Sequence, residues 1–164
     1  FREAGADGIV FGILTPDGEI DVQRSKEIIT LAQPCSVTFH RAFDMTRDAS
    51  RSLETLISLG VDRLLTSGLE ATVIEGLQTL KMLVRQAGDR IIVMPGCGIT
   101  ERNFAYLQEQ VGAKEYHVFV PGTYESKMTY RPEHIYMGGM LRQAEFSISH
   151  TDASRVSAIV GAKR

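Results

Sequence analysis

The stretch Gly60-Val61-Asp62-Arg63-Leu64-Leu65 shows most clearly a pattern that occurs four times along the chain and indicates the fold. In each instance a glycine follows a helix-like segment, and a short apolar run comes directly after it. Glycine readily adopts the left-handed conformation that ends a helix, so each instance predicts a helix followed by a strand. The other instances are Gly5 before Ile9-Val10-Phe11, Gly88 before Ile91-Ile92-Val93, and Gly112 before Tyr116-His117-Val118.

Helical periodicity fills the segments between these apolar runs. The best stripe predicts one helical face and consists of Val73, Leu77, Leu80, Val84 and Ala87. Shorter stripes follow Asp21, Asp48 and Thr100, which are candidate N-caps. A further strand, Ser36-Val37-Thr38-Phe39-His40, follows Pro34. Strands that alternate with helices predict a parallel sheet with helical crossovers.

The length of each unit favours a barrel over an open sheet. Units of roughly 25–30 residues, taken eight times, approach the ~250 residues of a (β/α)₈ barrel. The fold class predicted is therefore an α/β (β/α)₈ TIM barrel, truncated to about five βα units plus a C-terminal segment. Residues 1–164 are expected to form a single domain that is part of such a barrel. A five-stranded doubly wound sheet is the alternative, although its usual glycine-rich phosphate motif is absent here.

The last part of the chain loses this periodicity. From Gly122 to about His150 no regular pattern is evident, and Met137-Gly138-Gly139-Met140 predicts a loop. A final helix is expected at about residues 152–160.

Composition excludes several classes of protein. The chain has 164 residues, with 18 basic and 20 acidic side chains and a formal net charge of −2. A nucleic-acid-binding protein usually carries a basic face, which this balance does not predict. No apolar run approaches the length of a membrane span. Two cysteines are too few for a disulfide scaffold, which favours a reducing compartment.

The first candidate site follows the strand that ends near His40. Strand side chains alternate, so Thr38 and His40 share the face opposite the apolar one. With Arg41 and Asp44 at the rim, His40 could transfer protons or help to hold an anion. The equally weighted alternative is a structural histidine beside an ordinary Arg41–Asp44 salt bridge.

Two later strand ends are candidate anion-binding loops. Thr66, Ser67 and Gly68 could bind an oxyanion through hydroxyl and backbone N–H groups, although ordinary turn and cap chemistry is the favoured explanation. Gly96 and Gly98 precede a helix, and glycines there let the backbone approach a ligand closely.

The two cysteines are not expected to share a metal ion. Cys35 precedes its strand and Cys97 follows another, so a strand length of about 17–20 Å separates them. Cys35 is interpreted as a buried filler, whereas Cys97 lies at the functional edge and is a weak candidate metal ligand. The remaining imidazoles are interpreted as exposed or structurally satisfied; they are His117, His134 and His150.

One run resembles a known family. Residues 37–45, Val-Thr-Phe-His-Arg-Ala-Phe-Asp-Met, resemble the signature of the CutC copper homeostasis protein family. Further matches are Arg63–Gly68, Gly96–Thr100 with Asn103, Glu115–His117 and Met128–Arg131. The resemblance covers nearly the whole chain.

The resemblance implies a (β/α)₈ barrel that is cytoplasmic, often homo-oligomeric and linked to copper(I) handling. It also implies that this chain corresponds to strands four to eight of the barrel and that the first three units are missing. The family's copper-binding cysteines lie in early strands, and no residue here corresponds to them. Copper(I) is therefore expected from the resemblance alone. Cys97 stands where the family usually has glycine or alanine, and Val118-Phe119-Val120-Pro121 departs from its small or hydroxyl residues.

Three functional hypotheses follow. The first is copper(I) binding, buffering or trafficking. The second is an enzyme that acts on a small anionic or phosphorylated metabolite, in which His40 transfers protons, Arg41 holds the anion and Asp44 orients one of them. The third is that this segment, with unpaired strand edges, is inactive by itself and associates through those edges.

Overall fold

Strands and helices alternate along the first 111 residues of the computed structural model, which describes residues 5–138, 140 and 144–161. A 3₁₀ helix, Arg41–Met45, lies between the second strand and the second helix. The elements in chain order are β1 (Gly8–Phe11), α1 (Val22–Ala32), β2 (Ser36–Phe39), α2 (Ala49–Leu59), β3 (Arg63–Thr66), α3 (Leu77–Ala87), β4 (Ile92–Pro95) and α4 (Phe104–Val111).

The strands form a parallel four-stranded sheet in the order β1-β2-β3-β4. Successive helices pack against one another, which places α1 to α4 along one face of the sheet. Sequential strand order with helices on one face is the arrangement of a (β/α)₈ barrel, whereas a doubly wound sheet has helices on both faces. The predicted α/β fold of a truncated TIM barrel is confirmed.

Burial alternates along the strands, as the sequence predicts. Val37, Phe39 and Leu64 are buried on the helix-covered face. The opposite face is partly open, and Val10 is 65% exposed there. This open face is the one that points into the barrel in a complete (β/α)₈ fold.

The predicted caps of α1 and α2 are confirmed. Asp21 accepts a hydrogen bond from the Arg24 N–H at 3.0 Å, and Asp48 accepts one from the Arg51 N–H at 2.9 Å. Gly60 ends α2 in the left-handed conformation, with φ 78°.

Three local predictions were wrong. Helix α3 begins at Leu77 rather than Val73, because the preceding residues form a turn. Asn103, not Thr100, is the N-cap residue of α4, and its side chain accepts a hydrogen bond from the Thr100 N–H at 2.8 Å. The strand expected at Tyr116–Val118 is reduced to one parallel bridge between Gly96 and His117.

Residues 119–164 form a second compact unit. Here β5 (Pro121–Glu125) pairs with β6 (Ser147–Thr151) in an antiparallel ribbon, and α5 (Ala153–Gly161) follows. The final helix is confirmed, whereas the expectation of irregular structure from Gly122 to His150 is wrong at both ends. The expectation of one domain over residues 1–164 stays a prediction.

Candidate functional site

Three polar segments meet at the carboxyl edge of the parallel sheet. Register pairs Phe39 with Leu64 and Thr66 with Pro95, so the residues that follow these strands lie at one edge. The segment after β2 carries His40, Arg41 and Asp44, the segment after β3 carries Ser67 and Gly68, and the segment after β4 begins at Gly96.

Asp44 is the centre of a hydrogen-bond network at this edge. Its carboxylate accepts from the Arg41 Nε at 2.7 Å, the Ser67 hydroxyl at 2.9 Å and the Leu69 N–H at 3.2 Å. The Thr66 hydroxyl and the Ser67 N–H also donate to it. Because its side chain is only 7% exposed, these bonds replace the solvation that the carboxylate loses.

The network changes the interpretation of the loop after β3. Thr66 and Ser67 are fully buried, and the Gly68 N–H donates to the Thr66 hydroxyl at 2.9 Å. The predicted oxyanion donors of Thr66 and Ser67 are thus directed to the carboxylate of Asp44, and the Gly68 N–H is used within the loop. The loop is hydrogen-bonded to Asp44 of the 3₁₀ helix, and an external anion would have to displace the Asp44 carboxylate to reach these donors.

Arg41 is held by the same network while part of it faces solvent. Its Nη2 donates to the Ser67 hydroxyl at 2.8 Å, and the side chain remains 40% exposed. The hydrogen bond with Asp44 raises the pKa of Arg41, burial opposes this effect, and the nearby Cys97 side chain raises it further. The edge therefore presents a fixed cation, the group that binds carboxylates and phosphates.

His40 has a defined donor and acceptor arrangement. The Ala42 N–H donates to His40 Nδ1 at 3.0 Å, which caps the 3₁₀ helix. Since Nδ1 is an acceptor in this bond, the proton of a neutral imidazole lies on Nε2. Gly12, which follows β1, also belongs to this site although no sequence pattern marks it: a Cβ there would overlap the imidazole of His40.

The loop after β4 contains a residue in an unusual conformation. Cys97 has φ 90°, in the left-handed region that favours glycine. Its thiol donates to the Ala71 carbonyl at 3.3 Å, and its own carbonyl accepts from the Val73 N–H. Gly96 is closely packed, because a Cβ there would lie 2.6 Å from Leu65 Cδ1 and 3.1 Å from His117 Cβ.

Comparison with known proteins shows the family. A sequence profile described as the CutC family matches residues 1–121. The chain belongs to the CutC family. The residues at the carboxyl edge, from His40 to Gly98, all lie within the matched range.

Curated relatives in the CutC family are longer than this chain. A family protein CutC from Parabacteroides distasonis is 44% identical over 97% of the chain and 65% of its own length. The copper homeostasis protein cutC homolog of Homo sapiens is 46% identical over 93% of the chain and 56% of its own length. The chain thus spans about 56–65% of these relatives.

A solved CutC structure shares the fold. The crystal structure of CutC from Streptococcus agalactiae has a TM-score of 0.67 and 33% identity, covering 71% of this chain and 57% of that chain. No helix in the described ranges is both long and apolar enough to cross a bilayer.

The carboxyl edge does not provide the ligands that copper(I) prefers. Within residues 5–138, 140 and 144–161, no group of three or more His, Cys, Asp or Glu side chains could hold a metal ion. Copper(I) favours soft sulfur ligands, and Cys97 is the cysteine at this edge. Cys35 is buried and donates to the Ala6 carbonyl before β2, at the other end of the sheet.

Proposed function

We propose that this chain takes part in copper homeostasis, by binding, buffering or trafficking copper(I) in the cytoplasm. The observation that carries the proposal is its membership of the CutC family together with the names of its relatives. The homologues from Homo sapiens and Mus musculus, 46% and 45% identical, are named copper homeostasis proteins. In this proposal copper(I) is the protein's cargo and not a resident cofactor of the carboxyl edge.

A copper(I) titration tests this proposal. The 164-residue chain competes with a chromophoric copper(I) chelator under anaerobic, reducing conditions, beside the longer human homologue. We expect both proteins to withdraw copper(I) from the chelator. Failure of the 164-residue chain to do so, with the human homologue as the positive control, would overturn the proposal.

A second function is favoured by the geometry of Arg41. Its guanidinium is fixed by Asp44 and Ser67 and is still partly exposed, so it can bind an anion without first being ordered. We propose that the carboxyl edge binds a small anionic or phosphorylated molecule. Arg41 holds the anion, His40 donates a proton or hydrogen bond from Nε2, and Asp44 positions Arg41.

The second function is tested with inorganic phosphate as the probe. Backbone amide NMR signals of the segment that follows β4 should shift with phosphate in the wild type. Arg41→Met should abolish these shifts, while Arg41→Lys keeps the charge and weakens them. Arg51→Met is the matched control, because Arg51 is an exposed arginine on α2. An unchanged phosphate response in Arg41→Met would contradict the proposal.

A further inference from the structure

The methionines of this protein avoid its core. All six are at least partly exposed, although methionine is among the residues most often buried in proteins. The two most exposed are Met137, at 84%, and Met140, at 100%. They stand three positions apart in the sequence, and His134, also exposed, stands three positions before Met137.

The backbone beside Met137 is anchored by hydrogen bonds to Glu145. The Glu145 carboxylate accepts hydrogen bonds from the backbone N–H groups of Met137, at 2.6 Å, and Gly138, at 3.4 Å. Nearby, the Arg131 guanidinium lies 5.0 Å from the centroid of the Phe146 ring and donates to Glu125 at 2.8 Å. Glu145 therefore holds the backbone at Met137 and Gly138, while the side chains of Met137 and Met140 are exposed to solvent.

The donor chemistry of these side chains suits copper(I). Thioether sulfur is a soft, neutral ligand that favours copper(I) over hard cations such as Mg²⁺ or Ca²⁺, and imidazole also binds copper. In the sequence, Gly138 and Gly139 separate the two methionines, so the spacer between the sulfurs carries no bulky side chain.

We propose that Met137 and Met140, together with His134, form a copper(I) site in the unit of residues 119–164. The inference rests on the proposed role in copper homeostasis and assigns that role to residues outside the carboxyl edge of the sheet. It reverses the interpretation of His134 made from the sequence.

Exposed methionines could also belong to an apolar docking surface instead of a copper(I) site. Substitution of methionine by leucine distinguishes the two explanations. Leucine keeps the size and apolar character of methionine and removes the sulfur. The test variant is Met137→Leu/Met140→Leu. The matched control is Met45→Leu/Met82→Leu, which removes the same number of exposed thioethers from helical segments of the other unit.

Competition titration with copper(I) gives the first measurement. We expect the affinity of Met137→Leu/Met140→Leu to fall by more than roughly 10-fold, since losing a ligand costs at least as much as losing its outer-shell partner. The control variant should bind as the wild type does. Equal binding by the wild type and Met137→Leu/Met140→Leu would overturn the site and leave the proposed function standing, whereas no binding by the wild type would overturn both.

Methionine methyl NMR signals give a second, local measurement. With ¹³C-methyl-labelled methionine, copper(I) should shift the signals of Met137 and Met140 and leave those of Met45 and Met82 in place. Shifts confined to Met45 or Met82 would contradict the proposal, because they would place the ion in the other unit.

Discussion

Replacing Asp44 by asparagine tests the network at the carboxyl edge most directly. Asparagine replaces one of the two carboxylate oxygens of Asp44 by an NH₂ group. Whichever oxygen is replaced, the donors that bind it would then face another donor. On one side these are the Thr66 hydroxyl and the Leu69 N–H, and on the other they are the Arg41 Nε and the Ser67 hydroxyl. A charge-assisted hydrogen bond contributes about 1.5–3 kcal/mol, and breaking a buried pair costs about 3–5 kcal/mol.

Partial exposure of Arg41 moderates this loss, because its guanidinium regains water when Asp44 loses its charge. We therefore expect Asp44→Asn to lower the free energy of unfolding by about 3 kcal/mol. Urea unfolding with linear extrapolation measures it, with an unchanged slope showing that the unfolded state is the same.

Asp48→Asn is the matched control for this measurement. Asp48 also accepts a backbone hydrogen bond, from Arg51, but asparagine caps a helix as well as aspartate does. The control should lie within about 0.5 kcal/mol of the wild type. If Asp44→Asn lost less than about 1 kcal/mol, the network would not be what holds the 3₁₀ helix against β3.

The remaining predictions concern three other features. Gly12→Ala should lower the free energy of unfolding by about 1–3 kcal/mol in urea, because the added methyl group overlaps His40; an unchanged midpoint would contradict the packing. Hydrogen bonds from Arg90 and Gln86 lower the pKa of Glu54 from 4.5 to about 2, so this ion pair stabilises the fold above the ordinary pKa and the benefit is lost as pH falls towards 2. Thermal midpoints of the wild type and Glu54→Gln should accordingly converge between about pH 5 and pH 2, and a constant difference would refute the linkage. Finally, Val10→Lys should convert a self-associated wild type into monomers in sedimentation velocity, because Val10 is exposed on the open sheet face; a monomeric wild type would refute that association.

Local patterns predicted most of the parallel sheet. Strands β1 to β4 coincide with short apolar runs, and the helices between them follow amphipathic stripes, because burial on one face imposes those periods. The caps Asp21 and Asp48 were predictable because a cap bonds to a backbone group three residues away. The ribbon of β5 and β6 was missed, since its strands are largely exposed and show no alternation of apolar residues.

The candidate site was only partly predictable. The sequence predicts that His40, Arg41 and Asp44 lie at one sheet edge with Thr66 and Ser67, because parallel strands end together. It does not predict that Asp44 takes the hydroxyl and backbone donors of the loop after β3, 22 to 25 residues away. The role of Gly12 could not be predicted from the sequence around it, because glycine is needed there only to leave room for the imidazole of His40.

The alternation of strands and helices from β1 to α4, the family and the set of polar residues at the strand ends were determined by the sequence alone, through local periodicity and a nine-residue signature. Which donors meet which acceptors was decided only by the tertiary structure. A buried carboxylate must be fully hydrogen-bonded, and its partners are whatever groups the folded sheet brings within hydrogen-bonding distance, however far apart they are along the chain.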